Sequence, residues 1–167
     1  MGAGIGWARI RSLVNENQNQ IKILKGEMIH VDDTATTLTA AQSGATVFWT
    51  HASAHNVTLP AATAGMSFKF VLSAGSAHAH YILSQTDDEI YGKARVVSTT
   101  SDQFAVQVVL EGSAVDKIHL RKAGNAALGG DAGDTVELTC VEDGLWVCNA
   151  DLVTTHANPA SIAVLTD

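Results

Sequence analysis

Between Ala45 and Gln85 the chain reads ATVFWTHASAHNVTLPAATAGMSFKFVLSAGSAHAHYILSQ, and its large apolar residues recur at every second position. Met66, Phe68, Phe70 and Leu72 share one parity, while Val47 with Trp49 and Val57 with Leu59 repeat the pattern in shorter runs. A period of two puts such side chains on one face of an extended strand. A helix would instead need apolar residues three and four apart, so this stretch commits the chain to β-structure. Short loops with Pro60 and Gly65, and then Ala74 to Ala77, divide the runs, which predicts a β-meander. The core is expected to centre on Val47, Leu59, Met66, Phe68, Phe70 and Leu72, with Trp146 added from a later hairpin.

Further short runs follow at Ala94 to Ser98, Gln103 to Leu110, Val115 to Arg121, Asp134 to Val141 and Gly144 to Ala150, each bounded by Gly, Ser, Asp or Asn. Strands at this spacing predict an all-β fold, a compact antiparallel sandwich or barrel of about eight or more short strands. With 167 residues, 46% of them hydrophobic, one sizeable core is within reach. The expected organisation is an N-terminal arm over 1–33 (a short helix plus an extended segment), a body over 34–150, and a C-terminal tail over 151–167. The tail's apolar run, Ile162 to Leu165, predicts either a closing strand or a strand added to a neighbour's sheet.

The arm differs from the body in charge. Met1 to Val31 carries Arg9, Arg11, Lys22 and Lys25 against Glu16 and Glu27, a net +2, within a chain of net −7. Trp7, Ile10, Leu13 and Val14 are spaced for one face of a short helix over about Trp7 to Asn17. A helix this short is marginal in water and has to dock on something. The acidic balance argues against a nucleic-acid surface, which needs Lys and Arg gathered on one face. No apolar run is long enough for a membrane-spanning helix, and the opening residues do not read as a secretory signal, so no membrane partner is expected.

Cys140 and Cys148 flank Asp143-Gly144 in ELTCVEDGLWVCNA. Asp-Gly is a strong two-residue hairpin signal, and that register pairs Glu142 with Leu145 and turns the two cysteines to opposite faces as free thiols. A three-residue loop over Asp143 to Leu145 would set them opposite each other.

Chemistry is sparsely signalled. His78 and His80 share a strand face, and with His51 and His55 they offer imidazoles that a fold might gather around zinc. Surface or inter-strand histidines are the expected reading, and no metal or cofactor is predicted. Asp87, Asp88 and Glu89 lack the alternating ligand spacing of a calcium loop and read as a solvated turn. The chain has no G-x-S-x-G, H-E-x-x-H or phosphate-loop motif, and no catalytic residue is nominated.

Four segments together carry a resemblance: LTAAQSGATVFW from Leu38, VTLPAATAGMSFKFVLS from Val57, YILSQTDDEIYG from Tyr81 and DTVELTCVEDGLWVC from Asp134. This series, spanning roughly Thr37 to Asn149, resembles a β-module of virion structural proteins of tailed bacteriophages. The resemblance implies a non-enzymatic protein made in the host cytoplasm and carried on the virion. Among such roles, the size and the basic arm suit a capsid decoration, or cement, protein on the outer capsid surface. Its partners would be the major capsid protein and further copies of itself, with a homotrimer expected. Trp7, Arg9, Ile10, Arg11, Leu13 and Val14 are the expected capsid contacts. The alternatives are a head-fibre or tail-fibre domain binding host glycan or protein, for which Trp49, Tyr81 and Tyr91 are the candidate aromatics, and a tail or neck component.

Overall fold

The computed structural model describes residues 9–17, 26–31, 35–50, 55–73, 79–110, 115–121, 131–159 and 164–166. Residues 9–17 are helical, and the remainder is a two-sheet β-sandwich. Its strands are β1 (Met28–Val31), β2 (Thr36–Thr37), β3 (Thr46–Trp49), β4 (His55–Thr58), β5 (Ser67–Leu72), β6 (Ala79–Leu83), β7 (Glu89–Ser98), β8 (Phe104–Val109), β9 (Lys117–Arg121), β10 (Thr135–Glu142), β11 (Leu145–Thr154) and β12 (Leu165–Thr166). One sheet has the order β1-β3-β5-β10-β11-β7-β8 and the other β12-β9-β6-β4-β2.

The first half of the chain winds rather than meanders. β1, β3 and β5 lie side by side and parallel in the larger sheet, and β2, β4 and β6 do the same in the smaller one. Consecutive strands therefore alternate between sheets, and each strand serves as the crossover that parallel neighbours require. The expected all-β sandwich with a short N-terminal helix is the fold observed; what this pattern corrects is the meander over Ala45 to Gln85 and the antiparallel description of the pairing, which is mixed. Period two fixes which side chains are buried but not which strand is the hydrogen-bonded neighbour. The connections here are several residues long, and Asp143-Gly144 is the only Asn-Gly or Asp-Gly pair in the chain.

The second half supplies the antiparallel pairs: β5 with β10, β10 with β11, β7 with β8, β6 with β9, and β9 with β12. β11 and β7 are parallel over ten residues, Leu145 opposite Glu89 through Thr154 opposite Ser98. Between the sheets Trp49, Trp146, Phe68 and Phe70 are fully buried with Val47, Leu59, Leu72, Ile82, Ile118 and Leu138. Burial of this kind contributes about 1.5–3 kcal/mol per large side chain. Met66 is half-buried at the margin of that core.

Two boundaries shift from the sequence expectation. β1 belongs to the larger sheet and Val31 to the core, so the body starts at Met28 and not after residue 33. β11 continues to Thr154, and β12 pairs antiparallel with β9 of its own chain, closing the smaller sheet.

The Asp143-Gly144 turn forms, with Gly144 at φ 84° and Glu142 opposite Leu145. A bulge between Cys140 and Glu142 then sets Cys140 opposite Trp146 and Leu138 opposite Cys148. That extra residue reverses the parity of one strand. Both cysteines consequently face the core on the same side of the sheet, which corrects the expectation of opposite faces, and they remain free thiols.

Gly92, in β7, has φ 126°, and a Cβ built there would lie 2.2 Å from the Cys148 carbonyl oxygen. Only glycine lets β7 approach β11 this closely. Gly92→Ala is expected to destabilise the protein by about 3 kcal/mol or more, combining backbone strain with a forced separation of the two strands. A lowered urea midpoint at unchanged slope would report it; an unchanged midpoint would refute the close approach.

Candidate interaction surfaces

Segments from distant parts of the sequence meet at one end of the sandwich, around the loop Pro60 to Gly65. The chain leaves the smaller sheet after Leu59 and crosses to the larger one, so the loop's N–H groups have no strand to pair with. Ala62 N–H donates to Asp88 Oδ2 at 2.8 Å and Ala64 N–H to Asp143 Oδ1 at 3.0 Å. Gly65 N–H donates to the Cys140 carbonyl at 2.9 Å, Gly144 N–H to the Ala62 carbonyl at 3.1 Å, and Gln85 Nε2 to the Leu59 carbonyl at 2.7 Å. Asp88 is half-buried and its carboxylate is a cap, which corrects the reading of Asp87 to Glu89 as merely a solvated turn. The arrangement is structural: its groups are all engaged with one another.

The buried titratable groups are likewise occupied with packing. Burial pushes the Cys148 thiol up to about 12, and burial also raises Cys140, partly countered by hydrogen bonding to the backbone of Leu145. His80 is buried, with its ring centroid 4.7 Å from that of Trp49, and His55 lies opposite it on β4. His51 and His78 lie outside the described residues, so their part in any histidine group is not defined. Among the described residues, no three His, Cys, Asp or Glu side chains are placed to hold a metal ion. Of the aromatics considered for glycan contact, Trp49 is core, and Tyr81 is half-buried and stacked on His119 at 4.5 Å. Core placement removes Trp49 from that role.

Among the described residues, two elements present three or more exposed large apolar side chains on one face. The helix over 9–17 is exposed along its whole length, including Arg9 and Arg11, and its Ile10, Leu13 and Val14 share one face at helical spacing. Trp7 lies outside the described residues. The second open element is β8, an edge strand of the larger sheet. Phe104, Val106, Val108 and Leu110 are 70, 49, 58 and 69% exposed and lie on one parity. The first three pair on β7 with Val97, Arg95 and Lys93, whereas Ala105 and Gln107 oppose Val96 and Ala94 on the core side. The stripe thus continues the outer face of the sheet, where Arg95 meets Asp151 at 2.7 Å.

Sequence reasoning located this strand at Gln103 to Leu110 but not its exposure. The available signal was that residues of both parities are apolar, with Gln107 the only polar side chain from Phe104 to Leu110. Edge position is a property of the whole sheet and leaves no such local trace.

Comparison of the chain with protein-family models, curated proteins and solved structures finds no match. Function therefore has to be argued from these surfaces.

Two expected outcomes follow from the packed end and the buried thiols. Asp88→Ala should cost about 1.5–3 kcal/mol by stranding the Ala62 N–H, while Asp88→Asn keeps an acceptor and should retain more of the stability, as read by thermal or urea unfolding. For Cys148, the folded thiol holds its proton from its ordinary 9.0 up to about 12, so the native state binds more protons than the unfolded one across that range. The stabilisation is complete below the lower value and falls by up to about 1.4 kcal/mol per pH unit above it. Unfolding measured at several alkaline pH values should show this slope in the wild type and a shallower one in Cys148→Ala, where Cys140 still contributes in the same direction.

Proposed function

We infer that the chain is a non-enzymatic decoration protein of a phage head, attached through its N-terminal helix to the major capsid protein on the outer surface. The observation that carries this reading is the exposed helix over 9–17, whose apolar face of Ile10, Leu13 and Val14 adjoins the basic Arg9 and Arg11. Nine helical residues without a packed face are marginal in water, so ordering them against a partner is the natural use of the segment. The partner suited to it offers an apolar groove rimmed with carboxylates. The motif resemblance between Thr37 and Asn149 supports the virion setting, and in this fold those motif residues serve as scaffold: Asp88 caps the loop, Gly92 admits β11 and Trp146 fills the core.

In this mechanism the β-body is a rigid carrier and the helix is the tether. Several copies joined together would hold symmetry-related capsid sites at once, so modest contacts add up through effective concentration. The net charge of −7 leaves an acidic, soluble exterior on the coated particle.

Deleting Met1–Gln20 should leave the unfolding transition of the body in place and abolish co-sedimentation with phage heads. Leu13→Glu in the full chain should weaken head binding by about tenfold or more, the equivalent of losing one buried leucine. Undiminished occupancy of heads by the truncated protein would sink the tether reading.

A further inference from the structure

We propose that β8 is a self-association edge: it pairs antiparallel with β8 of a second copy about a twofold axis through Val106, joining the two larger sheets into one. The inference is independent of the head-binding reading, since it concerns a different element and a different partner.

The hydrogen-bond parity of β8 defines what the edge offers. Ser98 N–H donates to the Gln103 carbonyl, and the register places Ala105, Gln107 and Val109 opposite Val96, Ala94 and Gly92. In an antiparallel ladder, residues at even steps from a bonded pair direct their N–H and C=O at the same neighbour. Ala105, Gln107 and Val109 therefore face β7, and the backbone groups of Phe104, Val106 and Val108 point off the edge. These same residues carry the exposed apolar side chains.

Edge strands of soluble proteins are commonly guarded by Lys, Pro or an inward charge. Phe104 to Leu110, FAVQVVL, has none of these. Its single polar side chain is engaged within the chain: Gln107 Oε1 accepts from Val164 N–H at 2.7 Å and Leu165 N–H at 3.0 Å, and Nε2 donates to the Leu165 carbonyl at 2.8 Å. That clamp holds β8 against the C-terminal strand β12 and presents the free edge in an ordered, extended form.

A second copy is the occupant that this edge fits without any further assumption. With the axis at Val106, Val106 pairs with its counterpart and Phe104 with Val108 of the second copy, so all three outward N–H and all three outward C=O groups on each copy are satisfied. With the axis at Ala105, Val108 would fall opposite Asp102, and with the axis at Gln107, Phe104 would fall opposite Leu110; both partners lie outside β8 (Phe104–Val109), so the axis at Val106 is the one that keeps every outward pair within the strand. The apolar stripes then adjoin on the same outer face, Phe104 beside Val108, and Asp102 falls opposite Leu110 of the other copy, away from its own counterpart. Side chains that adjoin along an outer face cover only their facing sides, so the apolar stripe adds a small burial to the backbone pairing. An interface of this kind lies below the size of stable dimers, in the range of reversible, concentration-dependent association.

The test is sedimentation velocity on the full chain from low to several hundred micromolar, with three variants. The wild type should pass from monomer to dimer over that range, and Val106→Lys, which places two ammonium groups face to face, should raise the dissociation constant by about tenfold or more at an unchanged melting temperature. Val106→Cys, treated with diamide as oxidant, should give a covalent dimer, because a bonded antiparallel pair holds its Cα atoms about 5.5 Å apart, within reach of a disulfide. Phe104→Cys alone should not cross-link, but mixed with Val108→Cys it should. A wild type that stays monomeric, a trimer indifferent to Val106→Lys, or cross-linking of Phe104→Cys as fast as Val106→Cys would each overturn the proposal.

Discussion

The short hydrogen bond from the Ala62 N–H to the Asp88 carboxylate is the contact on which the sandwich's closed end depends. Winding between two sheets forces the chain to cross their gap repeatedly, and each crossing carries peptide groups away from any ladder. The buried Ala62 donor must be matched, and the exposed Ala64 and Gly65 donors are matched as well, all from segments far off in sequence: Asp88 from the approach to β7, and Asp143 and Cys140 from the β10–β11 hairpin. Pro60 removes one donor from the same crossing. The parallel β7–β11 pair, possible because Gly92 lacks a Cβ, then ties the two contributing segments to each other. The first half of the chain is in this way tied to the second through these bonds.

The sequence was most informative where one residue's environment depends on its immediate neighbours. Alternation in Phe68, Phe70 and Leu72 correctly identified buried side chains, because pleating alone assigns them to a face. It was silent on strand order, since a strand crossing to the opposite sheet and a strand turning back beside its neighbour have the same periodicity. The hairpin at Asp143-Gly144 shows the same division at smaller scale. The turn chemistry was legible, but the bulge beyond Glu142 was not, and one inserted residue was enough to bring Cys140 and Cys148 to the same face. Asp88 looked solvated because three adjacent acidic residues are polar as a group, whereas its role as a cap is set by a loop that reaches it only in three dimensions. The open surfaces divide likewise: the apolar spacing of Ile10, Leu13 and Val14 was readable, and the exposure of Phe104 to Leu110 required knowing that β8 ends a sheet.

The two open elements differ in what binding asks of them. The helix over 9–17 has little to hold it folded before contact, so part of any contact energy offsets the entropy of ordering it, and its affinity per site is modest. β8 is already extended, paired along one side and clamped through Gln107, so little ordering opposes its association. Electrostatics acts in the reverse sense on the second element. Copies of net charge −7 repel one another, and screening at physiological ionic strength, over a length of about 8 Å, permits an apolar edge to meet its counterpart while still disfavouring unspecific contact. If β8 joins copies and the helix tethers each one, as proposed, the two contacts would combine through avidity: the joined unit would hold its tethers at a fixed spacing, and neither contact would need to be strong by itself.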